Sequence, residues 1–489
     1  DRLYYANTQA ANQGHDALYF IQAKHSDNLM FNMASTLSAK VTKRSTLVGG
    51  LVLGSNSNRH YQTMDDLLGA SFFHNINTYA LGTYPADDPR VQYDLNTAGP
   101  NNLGSLVYEG DKFGYDYKIE VMKGLLWTSY TAEMGRFQTM ISGKLGQTNM
   151  RRHGYMRNGM AANNSEGNSR IARFGEGGAK GSINFDAGKG HVFKIGVGYE
   201  WRPPMANTAF IAPEICNDYV LNLGDEHVFS SEFSYQYQNA WMHANVNAYY
   251  SRLDHVTEWQ NFYNDDSNSF TYLSMTGIEK EYYGIEAGLD FKVASFLNFK
   301  ALGTISDAKN INNANVNYML SKSAEVKKDY AYIKDMRESG TPLTIGSLAL
   351  DFHKSGWFVN LNANWYDRIY LSYSPSYRYK SSLKNRDMLF NDEPLPGSVD
   401  QAKGHGGWMV DGSIGKSIRL KHGSLNFNLM VTNILNNRKI VSGGYEQSRS
   451  DYTLNKENEA KDRVYKFSKN PKKYYVFGTN GMFQVSYRF

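Results

Sequence analysis

The chain of 489 residues holds a single cysteine, Cys216. No internal disulfide is possible, and no set of cysteines and histidines has the spacing of a zinc site. Cysteine usage is therefore silent about compartment. Long apolar runs are missing too: no stretch approaches the roughly 18 consecutive apolar residues that a spanning helix requires. With 41% hydrophobic residues and a mean hydropathy of −0.54, composition also argues against a helical membrane protein. Charge of one sign is nowhere concentrated. The 52 basic and 47 acidic residues leave a net +5, without the basic stripe that nucleic-acid binding needs. Nor does the chain open on a signal peptide, since "DRLYYANTQAANQGHD" has neither an initiator Met nor an apolar segment. Either the protein is cytosolic or this is not the natural start of the polypeptide.

What is present is aromatic and glycine-rich: 36 Tyr, 25 Phe and 44 Gly, with aromatics at 14%. Period-2 segments of roughly ten residues recur, the length of a tilted strand crossing a bilayer. In "GHVFKIGVGYEW" one face carries Phe193, Ile195, Val197, Tyr199 and Trp201, and the other Lys194, Gly196, Gly198 and Glu200. "GWFVNLNANWY" and "YYGIEAGLDFKV" alternate likewise. Aromatics fall at the ends of the apolar rows and small aliphatics between them, the layout of two interfacial girdles around a hydrocarbon band. A soluble sandwich also alternates. It has no reason, however, to place ionisable groups on the polar face strand after strand, or to alternate its link lengths. Short links such as "VTKR" (41–44), "AEMGR" (132–136), "AGKG" (187–190), "YQNA" (237–240), "VASF" (293–296), "HKSG" (353–356) and "LKHG" (420–423) separate long polar segments. The long segments lie near residues 55–115, 151–175, 202–225, 252–275, 307–339, 370–405 and 436–474. Short periplasmic turns and long extracellular loops are the outer-membrane pattern, so the fold class is an all-β, antiparallel transmembrane β-barrel.

Parity adds to this. The chain ends on "GMFQVSYRF", a strand that follows the long 436–474 segment and so runs toward the periplasm. Counting back gives about fifteen strands, the first at residues 28–41. That strand also runs downward, which makes residues 1–27 the remainder of an extracellular loop and 28–489 the C-terminal part of the barrel. Closed single-chain bacterial barrels have even strand numbers. The expectation is a fragment, with its first strands on sequence outside this chain.

Several local patterns, in order along residues 28–489, resemble the TonB-dependent outer-membrane receptors in the form common in Bacteroidota. "GYEWRPPMANTAF" (198–210) is similar to that family's aromatic–Arg–x–Pro box, through Trp201, Arg202 and Pro204. "NLGDEHVFSSEFSYQYQNAWMHANVNAYYSRLDHV" is similar to its following Asn- and Tyr-containing run, through Asn222, Leu223, Glu226, Glu232, Tyr235, Asn247, Tyr249 and Tyr250. Leu-Gly-Asp at 223–225 departs from the proline usual in that turn. "NRHYQTMDDLLGA", "GIEKEYYGIEAGLDFKV" and "LMVTNILNNRKI" also match. The resemblance implies 22 strands, seven of them elsewhere together with a plug domain and a TonB box. It also implies uptake, energised through TonB, of a solute of siderophore, vitamin, glycan or peptide class. The implied partners are outer-membrane lipid, TonB, the barrel assembly machinery, and a surface lipoprotein or other outer-membrane subunits. A terminal aromatic resembles the signal read by that machinery, here Tyr487 and Phe489. A passive porin and a receptor-fold scaffold are the alternatives.

No enzyme is expected. Asp254–His255 and Glu226–His227 each set a carboxylate beside an imidazole, but adjacent strand positions point to opposite faces and no nucleophile joins them. No cofactor or metal is expected either. The run Asn264, Asp265, Asp266 offers too few oxygens for calcium. No histidine lies between Trp201 and Asn222, where family members that carry haem use one, and His60, His74 and His153 read as surface residues. Arg202 either binds substrate or pairs with lumen carboxylates, the structural role being favoured. The loops "NDDSNSFTYLS" (264–274) and "YSPSYRYKSSLKNRDMLFNDEP" (373–394) are either ligand-binding or simply solvated. They supply Asp265, Asp266, Tyr373, Tyr377 and Tyr379 as candidate substrate residues.

Overall fold

The computed structural model describes residues 2–9, 16–99, 104–264, 267–453 and 464–489. Eighteen strands join one sheet. Fifteen of them form its wall: β1 (Ile21–Thr42), β2 (Ser45–Asp66), β3 (Lys112–Met134), β4 (Phe137–Gly154), β5 (Ala172–Gly188), β6 (His191–Arg202), β7 (Glu226–Gln238), β8 (Met242–Asn264), β9 (Ser269–Ala294), β10 (Leu297–Asn310), β11 (Thr344–Lys354), β12 (Trp357–Asp367), β13 (Gly407–Leu420), β14 (Gly423–Thr432) and β15 (Asn480–Arg488). Each pairs antiparallel with its neighbours in chain order.

Seven short turns close one end of the wall. Two of the two-residue turns have positive φ at both positions, a geometry that matches the twist of the strands. Lys189 and Gly190 stand at 52° and 85°, Ser355 and Gly356 at 52° and 77°. The wall strands thus number as expected, but their limits differ. β1 starts at Ile21 rather than residue 28, and a short helix, Arg2–Thr8, precedes it. The stretch near 252–275 is not a loop: β8 and β9 pair out to Asn264↔Ser269. The segment 307–339 likewise contains strands, Ala314–Leu320 and Val326–Ala331, the first paired to β9. In the last two cases alternation weakens near the long-link end, where both faces become largely buried and polar residues enter the apolar row.

β1 pairs only with β2, and β15 only with β14, so each has one edge without a partner among the described residues. Being first and fifteenth in an up-and-down series, these two strands run in the same direction.

The apolar face of the wall is uncovered. Leu29 and Leu37 are 77% and 75% exposed, and Ile195, Val197, Ile285, Ile305 and Phe483 are exposed as well. A sandwich would bury that face against a second sheet, so the soluble alternative fails. On the other face, cross-strand ion pairs recur: Lys123–Glu176 at 2.9 Å, Lys144–Glu200 at 2.7 Å and Lys194–Glu232 at 3.2 Å.

The buried apolar core sits at the long-link end. One cluster unites Ala80 and Val91 of the 67–111 link, Met160 of 155–171, and Ile211, Ile215, Cys216 and Val220 of 203–225 with Tyr272 and Met319. A second packs Leu273, Met275 and Ile278 of β9 on Val316, Ile333 and Tyr379. At about 1.5–3 kcal/mol for each large side chain fully buried, the long links form a cap with its own core rather than separate solvated loops.

Candidate ligand site in the cap

Under this cap lies a cavity of about 310 Å³, bounded by the polar ends of β1–β3, the 67–111 and 203–225 links and the outer part of β9. Tyr79, Tyr93, Tyr115 and Tyr272 give it aromatic walls, and Glu214 is its one carboxylate. Tyr272 donates its phenol proton to Glu214 Oε2 at 2.6 Å. Glu214 is half-buried, and among the described residues no lysine or arginine pairs with it. Lys24, the cavity's lysine, is solvent-exposed and lies 6.0 Å from the centre of the Tyr115 ring.

Glu214 is held from both sides. Arg152, at the end of β4 and only 2% exposed, donates from Nε to Pro213 O at 2.8 Å and from Nη1 to Asn217 Oδ1 at 2.6 Å and Ser165 O at 2.8 Å. Trp259 Nε1 donates to Ile211 O at 2.9 Å. These bonds satisfy carbonyls that the link would otherwise bury unpaired. Opposite, Asn77 anchors the 67–111 link by donating to Ser321 O at 2.6 Å. Gly114 stands at φ 74°, and a Cβ there would lie 1.9 Å from Gln62 Nε2, so only glycine lets β3 start at this wall. Burial, with Glu214 nearby, pushes the Tyr93 phenol above its ordinary value and keeps it protonated, hence a donor.

The residues anticipated from the sequence lie elsewhere. Arg202 Nε donates to buried Glu226 at 3.1 Å. Trp201 packs over Gly177, where a Cβ would stand 2.4 Å from the indole, and Pro204 is buried just beyond β6. Asn222 is exposed in a left-handed turn at φ 60°. Glu232 pairs with Lys194, and the Tyr235 hydroxyl meets His191 Nδ1 at 2.9 Å. These residues run along the β6–β7 pair and none lines the cavity.

Of the loop tyrosines, Tyr379 is buried in the second cap cluster and Tyr373 accepts a bond from Asn310 Nδ2 at 3.1 Å, so both serve packing in the cap. Tyr377 lies under the Arg386 guanidinium at 3.8 Å. Asp265 and Asp266 fall outside the described residues. His60 stacks on Tyr117, while His74 and His153 bond Asp16 and Asn168. A register break between Leu253 and Val256 brings His255 to 5.4 Å from His227, and no group of three or more metal-ligating side chains occurs among the described residues. Tyr487 is exposed on β15 and Phe489 is exposed one residue past its end, with the Tyr487 hydroxyl donating to His422 O at 2.6 Å in the last short turn.

Glu214, Tyr93 and Tyr115 were not anticipated, and Tyr272 only as part of the 264–274 stretch. The one signal was a lone carboxylate in the apolar run "AFIAPEIC", and the convergence of distant links leaves no local trace.

No family model matches the chain, and no curated protein matches it. Solved structures do match in fold. The copper transporter OprC superposes with a TM-score of 0.58 at 11% identity, over 96% of this chain and 58% of OprC. The FrpB iron transporter from Neisseria meningitidis gives 0.55 at 10%, over 95% and 56%. The ferric citrate transporter FecA gives 0.52 at 9%, over 94% and 55%. The chain thus spans somewhat over half the length of these structures, and at such identities what it shares with them is the fold.

Proposed function

We propose that the chain is the greater part of the barrel wall, and the surface cap, of an outer-membrane receptor that imports a solute with energy supplied through TonB. The observation that carries this reading is a fifteen-stranded antiparallel wall, apolar outside and ion-paired on its other face, whose long links fold over a cavity. Its likeness in fold to copper, iron and ferric citrate transporters supports it. An uncovered apolar face of this extent needs lipid, and in lipid an open sheet edge leaves backbone groups unsatisfied at several kcal/mol each. β1 and β15 run in the same direction, so antiparallel closure takes an odd number of further strands. Seven, the number implied by a 22-stranded receptor, meets that condition. With them would come the plug domain and its TonB contact. The Bacteroidota-type subclass rests on the Trp201–Arg202–Pro204 box and the run that follows it.

The test is uptake. Cells lacking the protein, and cells lacking TonB, should lose growth on the same solute, drawn from panels of siderophores, vitamins, glycans and peptides. Growth that survives loss of TonB would leave a passive porin. Loss of an outer-membrane complex without any uptake defect would leave a scaffold.

A further inference from the structure

We infer that the cap cavity takes its ligand by a cationic nitrogen group, an amine or guanidinium, seated on Glu214 among the tyrosine rings. The inference rests on the receptor reading and narrows its solute class.

Glu214 is a half-buried carboxylate with one neutral donor, Tyr272, and no cationic partner among the described residues. Elsewhere this chain pairs several of its fully buried carboxylates. Glu176, Glu226 and Glu446, all buried, each hold a lysine or arginine within 3.1 Å. A carboxylate withdrawn from water and left without a counter-charge is costly unless something supplies one. Arg152 is close enough to fix the flanking Pro213 and Asn217, yet its Nε and Nη1 donate to Pro213 O, Ser165 O and Asn217 Oδ1 rather than to Glu214. Lys24 stays on the exposed rim beside Tyr115. The inner part of the cavity therefore presents a carboxyl group with no paired cation among the described residues.

The walls suit a cation as well. Tyrosine faces attract cationic nitrogen through the ring quadrupole, the more strongly when both are desolvated. Tyr93, Tyr115 and Tyr272 line the same cavity as Glu214. An anionic ligand would meet Glu214 as a like charge. A neutral polyol would leave the carboxylate without a counter-charge.

The experiment uses outer-membrane vesicles from cells that make the protein and from cells that lack it. The probes are radiolabelled agmatine, maltose and gluconate. Agmatine should bind saturably only where the protein is present, with maltose and gluconate at background. Glu214→Gln keeps an acceptor for Tyr272 but removes the charge, and should weaken agmatine binding about ten- to hundred-fold, the value of one charge-assisted bond. Tyr93→Phe, which keeps the ring, should bind nearly as wild type, and Tyr93→Leu should bind more weakly.

A second measurement needs no variant: benzylammonium should displace agmatine from the wild-type protein, and benzyl alcohol should not. Absence of agmatine binding, binding unchanged in Glu214→Gln, equal displacement by benzyl alcohol, or preference for maltose would each overturn the inference. Vesicle binding does not depend on TonB, so it can fail while the uptake test succeeds, and the reverse.

Discussion

The guanidinium of Arg378 and the carboxylate of Glu446, neither with any solvent exposure, form a two-point ion pair at 2.6 and 3.1 Å. Every other bond they make is to backbone. Arg378 donates to Val399 O and Asp400 O at 2.9 Å and to Ser374 O at 3.1 Å. Glu446 accepts from Ala402 N at 2.7 Å and Ser374 N at 3.1 Å. One pair thus ties three cap segments that lie far apart in the chain. Removing either partner strands a buried charge, a loss of about 3–5 kcal/mol. Arg378→Met and Glu446→Gln should each make the 368–406 link sensitive to trypsin in intact vesicles, while the wall stays resistant. The double variant should regain part of that protection.

Cys216 should be inert in the folded protein. It is 2% exposed in the first cap cluster, and burial pushes its thiol up to about 12 from an ordinary 9.0. The thiolate is the reactive form, so labelling by iodoacetamide at pH 8 should be at least ten-fold slower in the native protein than in urea. The sign for stability follows. Between about pH 9 and 12 the unfolded thiol loses its proton while the folded one keeps it, so this group's contribution falls as pH rises. Cys216→Ala should flatten that part of a pH–stability curve.

Gly177→Val should disturb the wall at β6. The new Cβ would stand 2.4 Å from the Trp201 ring and 2.9 Å from Leu145 Cδ2, inside contact distance of both. Overpacking of this kind costs about 1–3 kcal/mol. The expected outcome is a lower unfolding temperature on heated gels, with recovery when Trp201→Leu is combined with it.

At the chain's last strand, Tyr487→Phe removes the bond to His422 O and should cost about 0.5–1.5 kcal/mol while leaving assembly intact. Deleting Phe489 leaves that bond in place. If the terminal aromatic serves as an assembly signal, the deletion should lower the amount of protein reaching the outer membrane several-fold in fractionated cells.

The wall was legible because its cause is local. Alternation in segments such as "GHVFKIGVGYEW" follows directly from the two faces of a strand, and "AGKG" and "HKSG" supply the turn chemistry that pairs them. The outer ends of β2, β8 and β9 were not, since Gln62, Thr257, Thr271 and Ser274 are buried polar residues within those strands and break the pattern. The cap was illegible for a different reason. Val91, Met160 and Ile215 meet in one cluster, yet they come from three separate links, and Val91 and Met160 each stand nearly alone among polar neighbours. The same separation hid Glu214, whose environment comes from β4, β8, β9 and a distant link.

The shared core of the cap has an immunological consequence. The outward surface is assembled from several links at once, so its epitopes are discontinuous. Sera raised against a synthetic peptide from any one link should recognise denatured protein on blots and largely fail to stain whole cells. Sera raised against the folded protein should do the opposite. A vaccine or affinity reagent aimed at this surface must present the links together.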